Sequence, residues 1–218
     1  MPARILIFAN PIAGRGEGAA MARRIAQQLE QVGFAISLLF DRPQTLHDNA
    51  LAGARAAVVI GGDGTVRGVA QRLIASPTSR AVPILVVPMG TANLLSRHLG
   101  TLWSVDEAPA RAAAAITGGK IAAIDAARAN GELFLLMAGV GLDAKVVHEL
   151  DRMRDGPIDL VSYAIPAALA LGFYTYPPLS VSVDEKMVWR NRPGVAFVGN
   201  VKEYGTGFPM LPHAIPTD

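Results

Sequence analysis

Cysteine is absent from the 218-residue sequence, which excludes disulfides and thiolate metal sites and fits a reducing compartment. Charge is also sparse, with 17% of residues charged and a formal net charge of +2. The arginines at 23, 24, 152, 154, 190 and 192 are scattered, so there is no basic run of the kind nucleic acid demands. Long apolar runs are missing too. Ile5 to Ala9 is too short for a signal-peptide core. Ile165 to Tyr174 contains a proline and falls short of the ~20 residues that cross a bilayer. His47, His98, His148 and His213 are too far apart for metal-ligand spacing. No Walker GxxxxGK[ST] occurs, and Gly14-x-Gly16-x-Gly18 lacks the Rossmann spacing. Neither an internal repeat nor a low-complexity linker is present. What remains is a chain that is 51% apolar, enough for a sizeable core in one large domain or two small ones.

Against that background one stretch stands out, Gly61-Gly62-Asp63-Gly64-Thr65. It follows the apolar run Ala56 to Ile60. It opens onto Val66, Val69, Ala70, Leu73 and Ile74, whose spacing is that of a helix with one buried face. The glycines therefore occupy a strand-to-helix turn, with Thr65 expected to cap the helix. Backbone N–H groups at a helix start suit a phosphate. An aspartate among them repels simple anions, and makes sense if Asp63 holds a metal ion or orients an attacking hydroxyl. An ordinary glycine turn is the plain alternative.

The neighbouring segments follow the same grammar. Arg4 to Ala9 reads as a buried strand ended by Asn10-Pro11. Gly14 to Gly18 is a second glycine-rich turn, before a helix over about 19–32. Phe34 to Phe40 is a strand, and Thr45 with Asp48 suggests a capping box. Val82 to Val87 is another strand, followed by Gly90-Thr91-Ala92-Asn93 and a helix bearing Leu94, Leu95, His98 and Leu99. Ser104 and Glu107 form a capping box ahead of an alanine-rich helix that stops at Gly118-Gly119. Four alternations of strand and helix predict an open parallel sheet with helices on both faces. Each glycine-rich turn lies at the carboxyl end of a strand, where open α/β sheets bind ligands.

Beyond Lys120 the pattern changes. Ile121 to Arg128 and Glu132 to Ala138 read as strands joined by Asn130-Gly131, a strong hairpin signal. Helical stretches are expected over 142–153 and 159–172, then strands at Leu179–Val183, Met187–Trp189 and Val195–Gly199. The division is thus 1–120, an α/β domain, and 121–218, a mainly antiparallel β domain that looks incomplete. Unfinished sheet edges invite pairing, and a homo-oligomer is one outcome of that. Asp143 is read as a cap for its helix. The methionines and aromatics at 163–176 either pack the second domain or line an acyl-chain groove.

Taken together, these loops resemble the diacylglycerol kinase catalytic domain, a family related to sphingosine kinases and more distantly to NAD kinases. Asn10-Pro11-Ile12-Ala13-Gly14 resembles the first nucleotide loop, and Gly61 to Thr65 its GGDGT signature. Pro88 to Asn93 resembles PxGTxN, and Ala138 to Ala144 the GxGxDA turn. Gly199-Asn200, Tyr204-Gly205 and Pro212-His213-Ala214 resemble a later N…YG…PxA pattern. The resemblance implies an ATP- and Mg²⁺-dependent lipid kinase acting on a diacylglycerol-like hydroxyl at a membrane surface, cytoplasmic or peripheral in location. It implies nucleotide binding by Asn10, Pro11, Gly14, Gly16, Gly61, Gly62, Asp63, Gly64, Thr65, Gly90, Thr91 and Asn93, with Asp63 the catalytic candidate. Asn10 serves either its own turn or the nucleotide.

Departures from the family pattern qualify this. Arg67 and Gly68 stand where the family has Asn-Glu, and Arg67 is a candidate for meeting phosphate instead. His213 and Thr217 stand where related bacterial kinases hold a structural Mg²⁺, and they are poor ligands for a hard cation. No metal ligand set is assigned. The family's later Asp-Gly-Glu, to which the resemblance gives the general base, would lie past residue 218. The expectation is either a fragment of a longer kinase or a truncated chain with little activity. An NAD kinase-like enzyme and a non-catalytic nucleotide- or lipid-binding module are the alternatives.

Overall fold

The computed structural model describes residues 2–142, 144–145, 148, 174–203 and 209–217. Its centre is a four-stranded parallel sheet in the order β2-β1-β3-β4, formed by β1 (Arg4–Ala9), β2 (Ala35–Leu39), β3 (Ala54–Gly61) and β4 (Ile84–Pro88). Strands covered on both faces read as unbroken apolar runs, and Ile5 to Ala9 and Ala56 to Ile60 are buried throughout. Alternate side chains divide between two cores. Ile5, Ile7, Ala56, Val58 and Ile60 pack with α2 (Gly18–Gln31) and α6 (Ala108–Gly118). Leu6, Phe8, Ala57 and Val59 pack with Leu51 of α3 (Asp48–Leu51), with α4 (Asp63–Ala75) and with Leu95 of α5 (Leu94–Leu99). Helices on both faces were the sequence expectation, and they are found.

Local details differ from that expectation. A short helix, α1 (Ala13–Gly16), precedes α2. The Thr45–Asp48 capping box does not form. Thr45 donates its hydroxyl to the Arg42 carbonyl in a 3-10 turn over Pro43–Thr45, while Asp48 pairs with Arg72 at 2.7 Å. A guanidinium within reach outcompetes a neutral backbone donor. The Ser104–Glu107 box does form. The Glu107 carboxylate accepts from the Ser104 hydroxyl at 2.9 Å, and Ser104 Oγ accepts from the Glu107 N–H at 3.3 Å. Gly119, at φ 65°, ends α6 as a left-handed cap.

After α6 the strands are short. β5 (Ala127–Ala129) and β6 (Glu132–Phe134) form the expected hairpin, turned by Asn130 (φ 51°) and Gly131 (φ 86°). The long strand expected to Ala138 is interrupted by a bend at Leu135-Leu136, while Leu133 and Leu135 both pack into the core beside α4. The chain then continues as β7 (Met137–Val140), which pairs antiparallel with β10 (Ala196–Gly199). β8 (Pro178–Val183) and β9 (Lys186–Pro193) make a separate antiparallel hairpin. Of the expected helix over 142–153, Leu142, Ala144, Lys145 and His148 are helical. Asp143, the stretch 159–172 and most of 163–176 lie outside the described residues. Among the described residues, no helix is long and apolar enough to cross a membrane.

Candidate functional site

The strand order places the candidate loops side by side. From β1 the chain moves outward to β2, then returns past β1 to β3 and β4. The loops after β1 and β3 therefore diverge at a topological switch point, the usual ligand crevice of an open α/β sheet. The loop after β4 adjoins them. Backbone hydrogen bonds tie the three together: Asn10 N–H to the Ile60 carbonyl at 3.2 Å, Met89 N–H to Gly61 at 3.0 Å, and Gly14 N–H to Met89 at 3.1 Å.

Glycine is required where two of the loops touch. A Cβ on Gly90 would fall 2.5 Å from the Gly62 Cα and 2.8 Å from Asn93 Oδ1. A Cβ on Gly61 would fall 2.6 Å from the Thr65 hydroxyl oxygen. The Thr65 side chain thus lies back over Gly61. This corrects its expected role: α4 begins at Asp63 with Gly62 as its N-cap, so Thr65 sits inside the first turn. The helix starts three residues early because Gly62, extended at φ −93° and ψ −178°, already offers its carbonyl to the Thr65 and Val66 N–H groups.

Asparagine side chains shape the other two loops. Asn10 Oδ1 accepts from the Ile12 N–H at 3.2 Å. Asn93 is left-handed (φ 49°); its Oδ1 accepts from the Gly90 N–H at 2.9 Å and its Nδ2 donates to the Gly90 carbonyl at 2.7 Å. Occupied in this way, Asn93 does not cap α5 through its side chain.

That cap comes from Asp63. One carboxylate oxygen accepts from the Leu94 N–H at 3.0 Å, and the other from the Leu95 N–H at 3.2 Å. The half-buried carboxylate thus lies in the first turn of α4 and caps α5. Two helix starts, each with partial positive charge, offset its charge. This is how an acid can stand in a loop of phosphate-binding type. The local sequence did not signal this role, since the partners are 31 residues apart.

Of the residues expected at the site, Asn10, Gly14, Gly61, Gly62, Asp63, Gly90 and Asn93 belong to this bonded mesh. Thr65 packs over Gly61, and Gly64 and Thr91 are exposed on the same loops. Pro11 and Gly16 are also exposed, on the loop after β1 and at the end of α1. Arg67 does not point at these loops. Its guanidinium lies 3.4 Å from the Leu133 carbonyl, which accepts from it, and 3.8 Å from Glu132. A hairpin reached by the outer face of α4 draws it away. Gly68 faces the turn at 43–45, where a Cβ would lie 3.2 Å from Gln44 Nε2.

The diacylglycerol kinase catalytic domain model matches residues 4–129, more than half of the sequence. The chain belongs to that family. It is similar to the probable lipid kinase YegS-like of Enterobacter sp. (strain 638), at 24% identity over 94% of this chain and 69% of the relative. The corresponding protein of Yersinia enterocolitica (serotype O:8 / biotype 1B) is 25% identical over all of this chain and 73% of its own length. Among solved structures, a diacylglycerol kinase from Bacillus anthracis str. Sterne superposes with a TM-score of 0.69 at 24% identity. That match covers 98% of this chain and 71% of the other, and it is a likeness of fold.

Two further residues have structural roles that the sequence did not signal, Met89 at this edge and Asn200 among the later segments. Met89 joins the first and second loops through both its N–H and its carbonyl. Asn200 bonds two other segments: its Nδ2 donates to the Asp125 carbonyl at 2.8 Å and the Leu135 carbonyl at 3.1 Å, and its N–H to Leu136 at 2.7 Å. Asp125 in turn donates its N–H to the Pro216 carbonyl at 2.7 Å. The sequence marked Asn200 only as part of a later motif.

Proposed function

We propose that the chain is an ATP-dependent lipid kinase that transfers the γ-phosphate to the hydroxyl of a diacylglycerol-like lipid. The observation that carries this reading is the Gly62–Gly90 approach, with the Asp63 carboxylate bridging the two loops. A crevice floored by glycine backbone admits a polyphosphate closely, and the first turn of α4 presents N–H groups that lack intrahelical acceptors. Residues 61–65 and 90–93 would cradle the phosphates, with Asn10, Pro11, Gly14 and Gly16 along the adjoining wall. Residues 121–218 are taken as the second lobe of the cleft, and the names of the relatives favour a lipid over a dinucleotide as acceptor.

Phosphoryl transfer depends mainly on positioning and charge neutralisation. Asp63 is the acid of these loops. Each of its oxygens already accepts one N–H, which leaves a lone pair on each for a further contact. That suits Mg²⁺, which keeps several waters and takes one or two carboxylates plus substrate phosphates. Among the described residues no cluster of three or more His, Cys, Asp or Glu forms an all-protein site, so the nucleotide's own phosphates would complete the shell. When bound, the ion supplies neutralisation of charge on the transferring phosphoryl group. Asp63 would hold the loops in register and either contact the ion or orient the lipid hydroxyl.

Isothermal titration of the 218-residue chain with ADP and Mg²⁺ tests the site, and γ-labelled ATP with mixed lipid micelles and the full-length gene product tests the reaction. Saturable binding that Gly90→Val abolishes, together with label in a lipid, is the expected result. Binding that survives Gly90→Val would move the nucleotide elsewhere. Bound ADP with no labelled lipid would leave a binding module instead of a kinase.

A further inference from the structure

The β8–β9 hairpin is not explained by the nucleotide crevice. Among the described residues it forms a two-stranded sheet of its own, and such ribbons are marginal in water without a further surface to pack on. Every residue of β9 is exposed. Its sequence, Lys186-Met187-Val188-Trp189-Arg190-Asn191-Arg192-Pro193, places three consecutive large apolar side chains between Lys186 and the two arginines, and contains no acid. Asp184 and Glu185 are confined to the turn at one end, where both adopt left-handed φ.

The register shows how these side chains come to face outward. Leu179 lies opposite Arg192 and Val181 opposite Trp189, so Ser180 spans the bulged pair Arg190-Asn191. The Asn191 N–H donates to Ser180 Oγ at 2.9 Å across that bulge, and Asn191 is left-handed. Ser182 then pairs with Met187, which makes Val188 a second extra residue. Val188 is 60% exposed and Trp189 41%. Bulges re-aim side chains and twist a strand away from flat pairing, and cations on an edge oppose strand addition. The strand is therefore built to present side chains, and is ill suited to extend a sheet.

We propose that β9 docks the protein on an anionic lipid surface. Lys186, Arg190 and Arg192 would face the headgroups, and Val188 and Trp189 would enter the interface. Charge complementarity selects the occupant: cations that flank a block of apolar side chains match a surface with anionic heads above hydrocarbon. Trp189 fits the headgroup boundary, where an aromatic ring with a polar N–H is favoured. The Arg192 guanidinium stacks 5.5 Å from the Trp189 ring, and the indole N–H donates to the Arg192 carbonyl at 3.3 Å, so ring and cation are held as one unit. This inference rests on the lipid-kinase reading for its biological sense, but its test does not.

Trp103→Phe leaves Trp189 as the single tryptophan of the two. Its emission is followed with vesicles of phosphatidylcholine alone, or mixed with phosphatidylglycerol, carrying brominated acyl chains. A blue shift and quenching with the anionic vesicles only are expected. Lys186→Glu with Arg190→Glu, chosen to spare the Arg192–Trp189 stack, should weaken partitioning roughly tenfold or more with an unchanged far-ultraviolet spectrum. Unchanged Trp189 emission with phosphatidylglycerol vesicles overturns the proposal, whether or not the chain sediments with them. So does displacement by a soluble acidic polypeptide without any quenching by bromolipid, since β9 would then bind an acidic macromolecule. Phosphorylation of a short-chain diacylglycerol dispersed as monomers is measured separately with the full-length gene product. Its failure beside intact quenching would remove the kinase and leave the docking strand.

Discussion

At the scale of single residues, the crevice is set by contacts that tolerate almost no added atom. Gly62 and Gly90 meet backbone to backbone, so Gly90→Ala forces the loops apart, because the nearest atom a Cβ would meet is the Gly62 Cα and not a flexible side-chain end. We expect a loss of about 1–3 kcal/mol, as for overpacking elsewhere, read as a lower denaturant midpoint, together with weaker ADP binding. Asp63→Asn is not a silent isostere at this position. The carboxylate accepts two backbone N–H groups; an amide accepts with its oxygen but turns an NH₂ donor toward the other N–H. A cost of about 1–3 kcal/mol should follow from the unsatisfied donors. Unchanged melting of this variant would mean that the α5 cap is dispensable. Lost activity in Asp63→Asn is therefore to be interpreted only beside its melting curve.

Among the elements, α6 carries a pH-dependent start. The Ser104 hydroxyl and N–H, with a smaller contribution from Arg111, hold the Glu107 carboxyl below its ordinary value. A carboxylate whose value is lowered on folding contributes stability that is fully present above the unfolded-state value and is lost as pH falls through the folded one. The first turn of α6 should thus loosen in acid below the usual glutamate range, and Glu107→Gln should flatten that dependence. Amide exchange of Ala108, Ala110 and Arg111 measured against pH checks it; equal profiles for the two proteins would contradict it. The α5 helix behaves differently. It has six residues and no side-chain cap from its own N-cap residue, so its start depends on a carboxylate from α4. Its order should track the state of the crevice.

Across the whole molecule, Asn200 joins Asp125, Leu135 and Leu136. These residues lie between the parallel sheet and the later strands. Asn200→Ala strips donors from two carbonyls, with an expected cost of about 1–3 kcal/mol. The effect should be uneven. Amide exchange should accelerate in β7 and β10 while β1 and β3, buried on both faces, keep their protection. Uniform acceleration throughout would show a single cooperative unit instead.

Much of this architecture was legible in the residues. Buried runs such as Ile5 to Ala9, the helical spacing of Val66 to Ile74 and the paired Ser104 and Glu107 specify local structure, because period, length and capping chemistry act within a few residues. The hairpin turn at Asn130-Gly131 is of the same kind. Tertiary structure decided which loops touch: Asp63 with Leu94, Gly62 with Gly90, Arg67 with the β5–β6 hairpin instead of a phosphate, and Asp48 with Arg72 instead of Thr45. Each of these partners is brought close by the order of the strands. Hydrogen bonding and close packing act over a few ångströms in space, whatever the separation along the chain.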